Sequence, residues 1–211
     1  MYCLITYHDA SYQPLADRTW TQNKIPYCKR YGYFYEYEPL EGVQKVGQLQ
    51  KVRFINRMLN TTNYEWLWWT GCDLMITNYN IRIEDRIDNN YHMVIASDCH
   101  GINADSILIR NSRKSKEFWK WVGDTLPSYN WWEGEQGLIK EAVKQGSPLI
   151  KVVPQRDINS YQYNLYPTEP NTDDLGTVGE WQEGDWVIQW PGLTLPPRIQ
   201  LADYYATKVI K

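Results

Sequence analysis

In the run "EWLWWTGCDLMIT" (65–77) an aromatic, apolar stretch ends at Gly71-Cys72, offers one carboxylate at Asp73 and turns apolar again. An acid just past a buried strand can cap the next turn. It can also hold a hard divalent cation, since Mg²⁺ and Mn²⁺ keep several waters and take only one or two protein carboxylates when a diphosphate supplies the rest. A second polar group, "SDCHGINAD" (97–105), offers Asp98, His100, Asn103 and Asp105, and is expected to lie between two strands. A third, "WWEGEQG" (131–137), places Glu133, Glu135 and Gln136 at a helix start, where acids are also favoured by the helix dipole. The chain has no P-loop, GxGxxG or nucleophilic triad, and His8-Asp9 lacks the partner histidines of a metal hydrolase.

These groups need a frame to position them. "YCLITYH" (2–8) predicts a buried first strand. A helix within 15–31 closes at Gly32, and "YFYEYE" (33–38) alternates as a strand. Val46, Leu49, Val52, Ile55, Met58 and Leu59 recur at helical spacing across 43–60. Further strands are predicted at 65–71, 92–97, 106–111, 149–154 and 185–190, and helices at 115–126, 133–145 and 198–210. Such alternation predicts an α/β fold: a central, mostly parallel sheet of about six strands flanked by helices. Ligands of these sheets sit outside the carboxyl ends of the strands, the edge where Asp73 falls. The stretch 155–184, rich in Asn, Tyr, Pro and Gly, is expected to be an ordered loop beside the site.

A chain of 211 residues suits one domain and can bury about 70% of its unfolded surface without disulfides. Its net charge of −3, with both signs interspersed, excludes the basic stripe of a nucleic-acid binder. Aromatic content is high, with 11 Trp and 17 Tyr against 3 Phe. Each single Trp is best read as core, yet the bias towards amphipathic aromatics leans towards carbohydrate stacking. The four cysteines show no metal-ligand spacing, which favours a reducing compartment. No stretch approaches the ~20 apolar residues of a membrane span, and no signal peptide precedes the first strand. A soluble, cytoplasmic chain is the expectation.

At this point the segments resemble a known group. "EWLWWTGCDLMIT" is similar to the metal-binding segment of the family 34 glycosyltransferases, which reads Trp-Trp, an apolar residue, Asp-X-Asp and an apolar run. "NKIPYCKRYGY" (23–33), "QKVRFINRML" (50–59), "GINADSILIRNS" (101–112), "PQRDINSY" (154–161) and "WQEGDWVIQWPG" (181–192) resemble further segments of that family in order and spacing. The likeness extends to small members encoded by chlorella viruses. It implies a GT-A-type single domain over 1–211, alone or as part of a longer polypeptide. It also implies a UDP-sugar donor, Mn²⁺ or Mg²⁺, a glycan or glycoprotein acceptor, and retention of anomeric configuration.

Carried over by position, Asp73 is the expected metal ligand. Thr6 and Tyr7 would line the uridine pocket, with Lys51, Gly71, Cys72 and Gln189 also at the nucleotide. Asp98, Asn103, Ala104 and Asp105 would border the donor sugar, while Glu135, Gln136 and, third, Asp98 are the catalytic candidates. Three departures stand out: Gly71 replaces the first Asp of Asp-X-Asp, Gln189 replaces a metal-binding His, and Asp105 stands where the family has Gly. The alternatives are a non-catalytic nucleotide-sugar or glycan-binding module, which the changes at 71 and 189 favour, and a glycoside hydrolase using paired carboxylates.

Overall fold

Every side chain of β3 (Trp66–Thr70) is buried, because the strand lies inside a sheet with packed layers on both faces. Alternation sends Trp66 and Trp68 to one layer, among Tyr27, Tyr79 and Trp186, and Leu67 and Trp69 to the other, among Val52, Ile55 and Trp119. A strand buried on both faces reads as an unbroken apolar run, which is why "WLWWT" shows no polar alternation. The computed structural model describes residues 1–39, 47–98, 101–129, 133–162 and 178–211. Val46, Cys99, His100, Trp131, Trp132 and the middle of the 155–184 stretch lie outside the described residues.

The other strands of the sheet are β1 (Tyr2–His8), β2 (Phe34–Pro39), β5 (Met93–Asp98), β6 (Gly101–Arg110) and β7 (Ile150–Pro154), in the order β2-β1-β3-β6-β5-β7. Only β6 runs against the rest, pairing antiparallel with both β3 and β5. The expected mostly parallel six-stranded sheet is therefore present. One face carries α3 (Gly47–Thr61), α4 (Arg113–Thr125) and α5 (Gly134–Lys144). The other is covered by the helical stretch 13–31 and by a small sheet of β4 (Leu74–Ile76), β9 (Val187–Gln189) and β8 (Ser160–Tyr161). A short helix α6 (Gln155–Ile158) follows β7, and α7 (Leu195–Ala206) closes the chain.

Three details differ from the sequence expectation. The stretch 185–190 joins the small sheet rather than the central one. "GINAD" is not a connection but the first half of β6, with a register shift against β5 between Ile95 and Ala96. The helix at 13–31 is not uniform: α1 (Gln13–Ala16) widens into a π-helical stretch, Asp17–Lys24, before α2 (Ile25–Tyr31). Pro26 explains the widening, because its ring crowds the carbonyl one turn back and it has no N–H to give. A wider turn, with the Ile25 N–H reaching Trp20 O, lets the helix continue past it. The tryptophans also lose much of their carbohydrate implication, since Trp66, Trp68, Trp69, Trp119, Trp186 and Trp190 are all core.

Candidate functional site

The widened helix fixes the turn that carries Asp73. Lys24 Nζ donates to Gly71 O at 2.8 Å, Thr19 Oγ1 to Cys72 O at 2.7 Å, and Asn23 Nδ2 to Ile76 O at 2.8 Å, while Asn23 Oδ1 accepts from Ile76 N–H at 2.8 Å. Lys24 is fully enclosed, and burial pushes its ammonium down to about 8. From the other side, Gly71 N–H donates to Asp105 O at 2.8 Å and Trp190 N–H to Asp73 O at 3.2 Å. With its backbone groups satisfied in this way, the turn has little freedom to rearrange.

The Asp73 side chain is held by two groups. Arg198 Nη2, from the first turn of α7, lies 3.1 Å from Oδ2, and Gln189 Nε2 donates to Oδ1 at 3.3 Å. Burial nevertheless dominates and pushes the Asp73 carboxyl up to about 6, against the opposing pull of the Arg198 guanidinium; the neighbouring Asp105 pushes the same way as burial. Gln189 Nε2 also donates to Asp105 Oδ2 at 2.8 Å, so one amide nitrogen spans both carboxylates.

Asp73, Gly71, Cys72 and Arg198 line a cavity of about 280 Å³ walled by Tyr7 and Trp69. A second cavity, about 410 Å³, is lined by Lys51, Glu133, Glu135, Gln136 and Lys140. Tyr7, Gln48 and Asp105 belong to both, so the two cavities meet beside Asp105 at the carboxyl edge of the sheet. In the second cavity Lys51 Nζ lies 2.7 Å from Glu135 Oε1 and 3.8 Å from Asp105 Oδ1, donates to Ala104 O, and sits 5.0 Å from the centre of the Trp69 ring. Gln136 Oε1 accepts from Ala104 N–H at 3.0 Å. Gln136 is thus docked onto β6 directly, and Glu135 is joined to it through Lys51 of α3, although α4 separates both from that strand in the sequence.

The remaining candidates sit apart. Thr6 is buried and donates its hydroxyl to Thr70 O at 2.8 Å, tying β1 to β3, while Tyr7 beside it faces the cavities. Asp98, Asn103 and Tyr161 form their own cluster: Asn103 Nδ2 donates to Asp98 Oδ2 at 3.1 Å and to the Tyr161 hydroxyl, which in turn donates to Asp98. Arg198, Lys24, Asn23 and Tyr161 were not among the sequence candidates. A cation in the first turn of a helix opposes the dipole, so Arg198 behind Pro196-Pro197 carried a signal. Lys24 and Asn23 lay within a motif already noted, but nothing in their spacing pointed at a turn some fifty residues on.

The donor set suits a hard divalent cation in part. Asp73 offers carboxylate oxygens, Gly71 offers no side chain, and Gln189 Oε1 is buried without a hydrogen-bond partner among the described residues. Among those residues no three His, Cys, Asp or Glu side chains gather to hold a metal unaided, so phosphate oxygens would have to complete the shell.

The fold is that of the GT-A glycosyltransferases. It superimposes on a glycosyltransferase involved in glycosylation of the major capsid of PBCV-1 with a TM-score of 0.76 at 17% identity, covering 96% of this chain and 98% of that one. It also matches the galactosyltransferase LgtC in complex with donor and acceptor sugar analogs, with a TM-score of 0.60 at 10% identity over 98% of this chain and 95% of that one. The galactosyl transferase GMA12/MNN10 family model matches residues 6–91 and 88–193, and the chain belongs to that family. It is 23% identical to the probable alpha-1,2-galactosyltransferase gmh2 of Schizosaccharomyces pombe, over 81% of this chain and 59% of the relative. It is 26% identical to the probable alpha-1,6-mannosyltransferase MNN10 of Saccharomyces cerevisiae, over 66% of this chain and 46% of the relative. The chain thus spans only about half the length of these relatives. Among the described residues no helix is long and apolar enough to cross a membrane.

Proposed function

We propose that the chain acts as one nucleotide-sugar domain, moving a hexose or deoxyhexose from a UDP-sugar to a hydroxyl of a glycan or glycoprotein, with retention and with Mn²⁺ or Mg²⁺ at Asp73. One observation carries this reading: the two cavities that meet at the carboxyl edge of the sheet, Asp73 in one, Glu135 and Gln136 in the other. A sugar nucleotide needs an aromatic-walled space for the nucleoside, cations beside the diphosphate, and polar groups around the sugar. Tyr7, Trp69 and Arg198 line the first cavity, and Lys51, Glu135 and Gln136 line the second, so the two together offer all three. Family membership supports a galactosyl or mannosyl donor, and retention rests on the resemblance.

In the reaction, the bond from the anomeric carbon to the diphosphate oxygen breaks. The acceptor oxygen bonds to that carbon on the same face, and its proton passes to the released phosphate oxygen. Negative charge gathers on the diphosphate, where the Lys51 ammonium and Arg198 guanidinium balance it. A divalent ion held by Asp73 would add further positive charge at the same place. Glu135, fixed by Lys51, and Gln136, fixed by the Ala104 N–H, stabilise the cationic anomeric carbon from the sugar's other side.

Calorimetric titration of UDP with and without Mn²⁺, on wild type and Asp73→Ala, tests the reading. Binding is expected only with the metal and only with Asp73 intact. UDP binding that ignores both would overturn it.

A further inference from the structure

The carboxylate that position 71 lacks has a counterpart on the neighbouring strand. A Cβ built on Gly71 would lie 2.8 Å from Asp73 Oδ1 and 3.6 Å from both Cβ and Cγ of Asp105. A side chain at 71 would therefore press on the Asp73 carboxylate while lying in ordinary van der Waals contact with the Asp105 side chain. The two backbones are locked together there by the Gly71 N–H to Asp105 O bond of 2.8 Å. The Asp105 carboxylate, on the neighbouring strand, thus stands beside the place where a side chain at 71 would begin, and glycine at 71 leaves Asp73 Oδ1 uncrowded.

We infer that Asp105 is a second metal ligand, making with Asp73 a carboxylate pair drawn from two strands in place of an acid pair within one turn. This rests on the reading that the site takes UDP with a divalent cation, and it names a residue that reading does not use.

Three observations support the pair. Gln189 Nε2 reaches both carboxylates, at 3.3 Å and 2.8 Å, so the two acids converge on one point. The same amide's Oε1 is buried, with no partner among the described residues. Amide oxygen and nitrogen exchange places by a half-turn of the group, so that oxygen can face the acids when a cation rather than an N–H lies between them. Asp105 also stands where the two cavities meet, the place a diphosphate must cross to link nucleoside and sugar. Two carboxylates, one amide oxygen and phosphate oxygens form an all-oxygen set of the kind Mn²⁺ and Mg²⁺ accept.

If Asp105 instead only shaped the sugar cavity, its charge would act on UDP in one direction, repelling the diphosphate whether or not metal is present. A ligand acts in two directions. Asp105→Asn should therefore weaken UDP binding in the presence of Mn²⁺ by at least about tenfold, since even groups one step removed from a metal cost that much when lost. In the presence of EDTA the same variant should bind UDP no worse than wild type. The experiment is calorimetric titration of UDP into wild type, Asp105→Asn and Asp105→Ser, each with Mn²⁺ and with EDTA, alongside Mn²⁺ electron paramagnetic resonance to count bound metal. Asp105→Ser, which removes the carboxylate and keeps a small polar side chain, should show the same Mn²⁺-dependent loss.

Asp105→Asn binding Mn²⁺ and UDP as wild type does would overturn the inference while leaving the Asp73 reading intact. Wild type that binds no Mn²⁺ in the presence of UDP would overturn both. Should Asp105→Asn fail to fold by circular dichroism, Asp105→Ser decides: UDP binding weakened about tenfold with Mn²⁺ but not with EDTA supports the pair, and binding as in wild type refutes it.

Discussion

Replacing Lys51 by Met is the most informative single change to the scaffold of the site. The ammonium lies in a nearly dry position, with side-chain exposures of 3% for Lys51 and 7% for its partner Glu135. Removing one member of such a pair leaves the other buried and unbalanced, which costs about 3–5 kcal/mol. The Ala104 carbonyl loses its side-chain donor in the same step, so the upper half of that range is expected. For a domain of this size each kcal/mol moves Tm by about 2–4 °C, giving a fall of roughly 10 °C or more. Urea denaturation followed by circular dichroism measures it, with Lys51→Met/Glu135→Leu as the partner variant. Removing both charges takes away the stranded carboxylate, so the double variant should recover most of the loss. A Lys51→Met variant within about 1 kcal/mol of wild type, or a double variant no more stable than the single, would show that the pair does not organise the second cavity.

Three further outcomes are expected. Trp68 and Trp186 stack 4.1 Å apart at 19° with no exposed surface, so Trp186→Ala should cost about 3–5 kcal/mol in urea denaturation, and a loss below about 2 would contradict the packing. Gly134 has φ +57° and a Cβ there would meet the Gln48 carboxamide at 2.3 Å, so Gly134→Ala should lose about 1–3 kcal/mol and disturb the cavity wall that Gln48 forms; an unchanged Tm would refute this. Burial holds His8 and His92 below the ordinary value of 6.5, so the folded chain binds fewer protons there than the unfolded one. That stability is present above pH 6.5 and is lost as pH falls below it, and His8→Gln/His92→Gln should flatten the slope of denaturation midpoint against pH between roughly 7 and 5.

The sheet was legible because its signals are local. The apolar "WLWW" beside Glu65 and Gly71 reads as an inner strand, and the spacing of Val52, Ile55 and Leu59 reads as one face of a helix. The antiparallel placement of β6 was not legible, since "GINAD" carries polar residues that suit a loop until the strand's far end is seen to border a site. Asp73 stood out as a candidate because an acid after a buried strand is locally odd. Arg198, 125 positions further on, was not, because nothing near it in the sequence shows which acid it faces. Asp105 was noted as a departure, but its relation to Gly71 depends on the pairing of β3 with β6, which register alone reveals.

The side-chain clasp on the Asp73 turn bears on how the protein acquires its activity. The donors to Gly71, Cys72 and Ile76 come from 47 to 53 positions earlier in the chain. A turn whose carbonyls are answered from so far away cannot preform as a local loop; it must wait for a long closure, whose entropic cost grows with separation and slows folding. Competence to bind is therefore a late event, reached only after the N-terminal helix has docked. Refolding followed by tryptophan burial should run ahead of the recovery of ligand binding, and slow mutants of the helix should lengthen that lag while leaving the finished site unaltered.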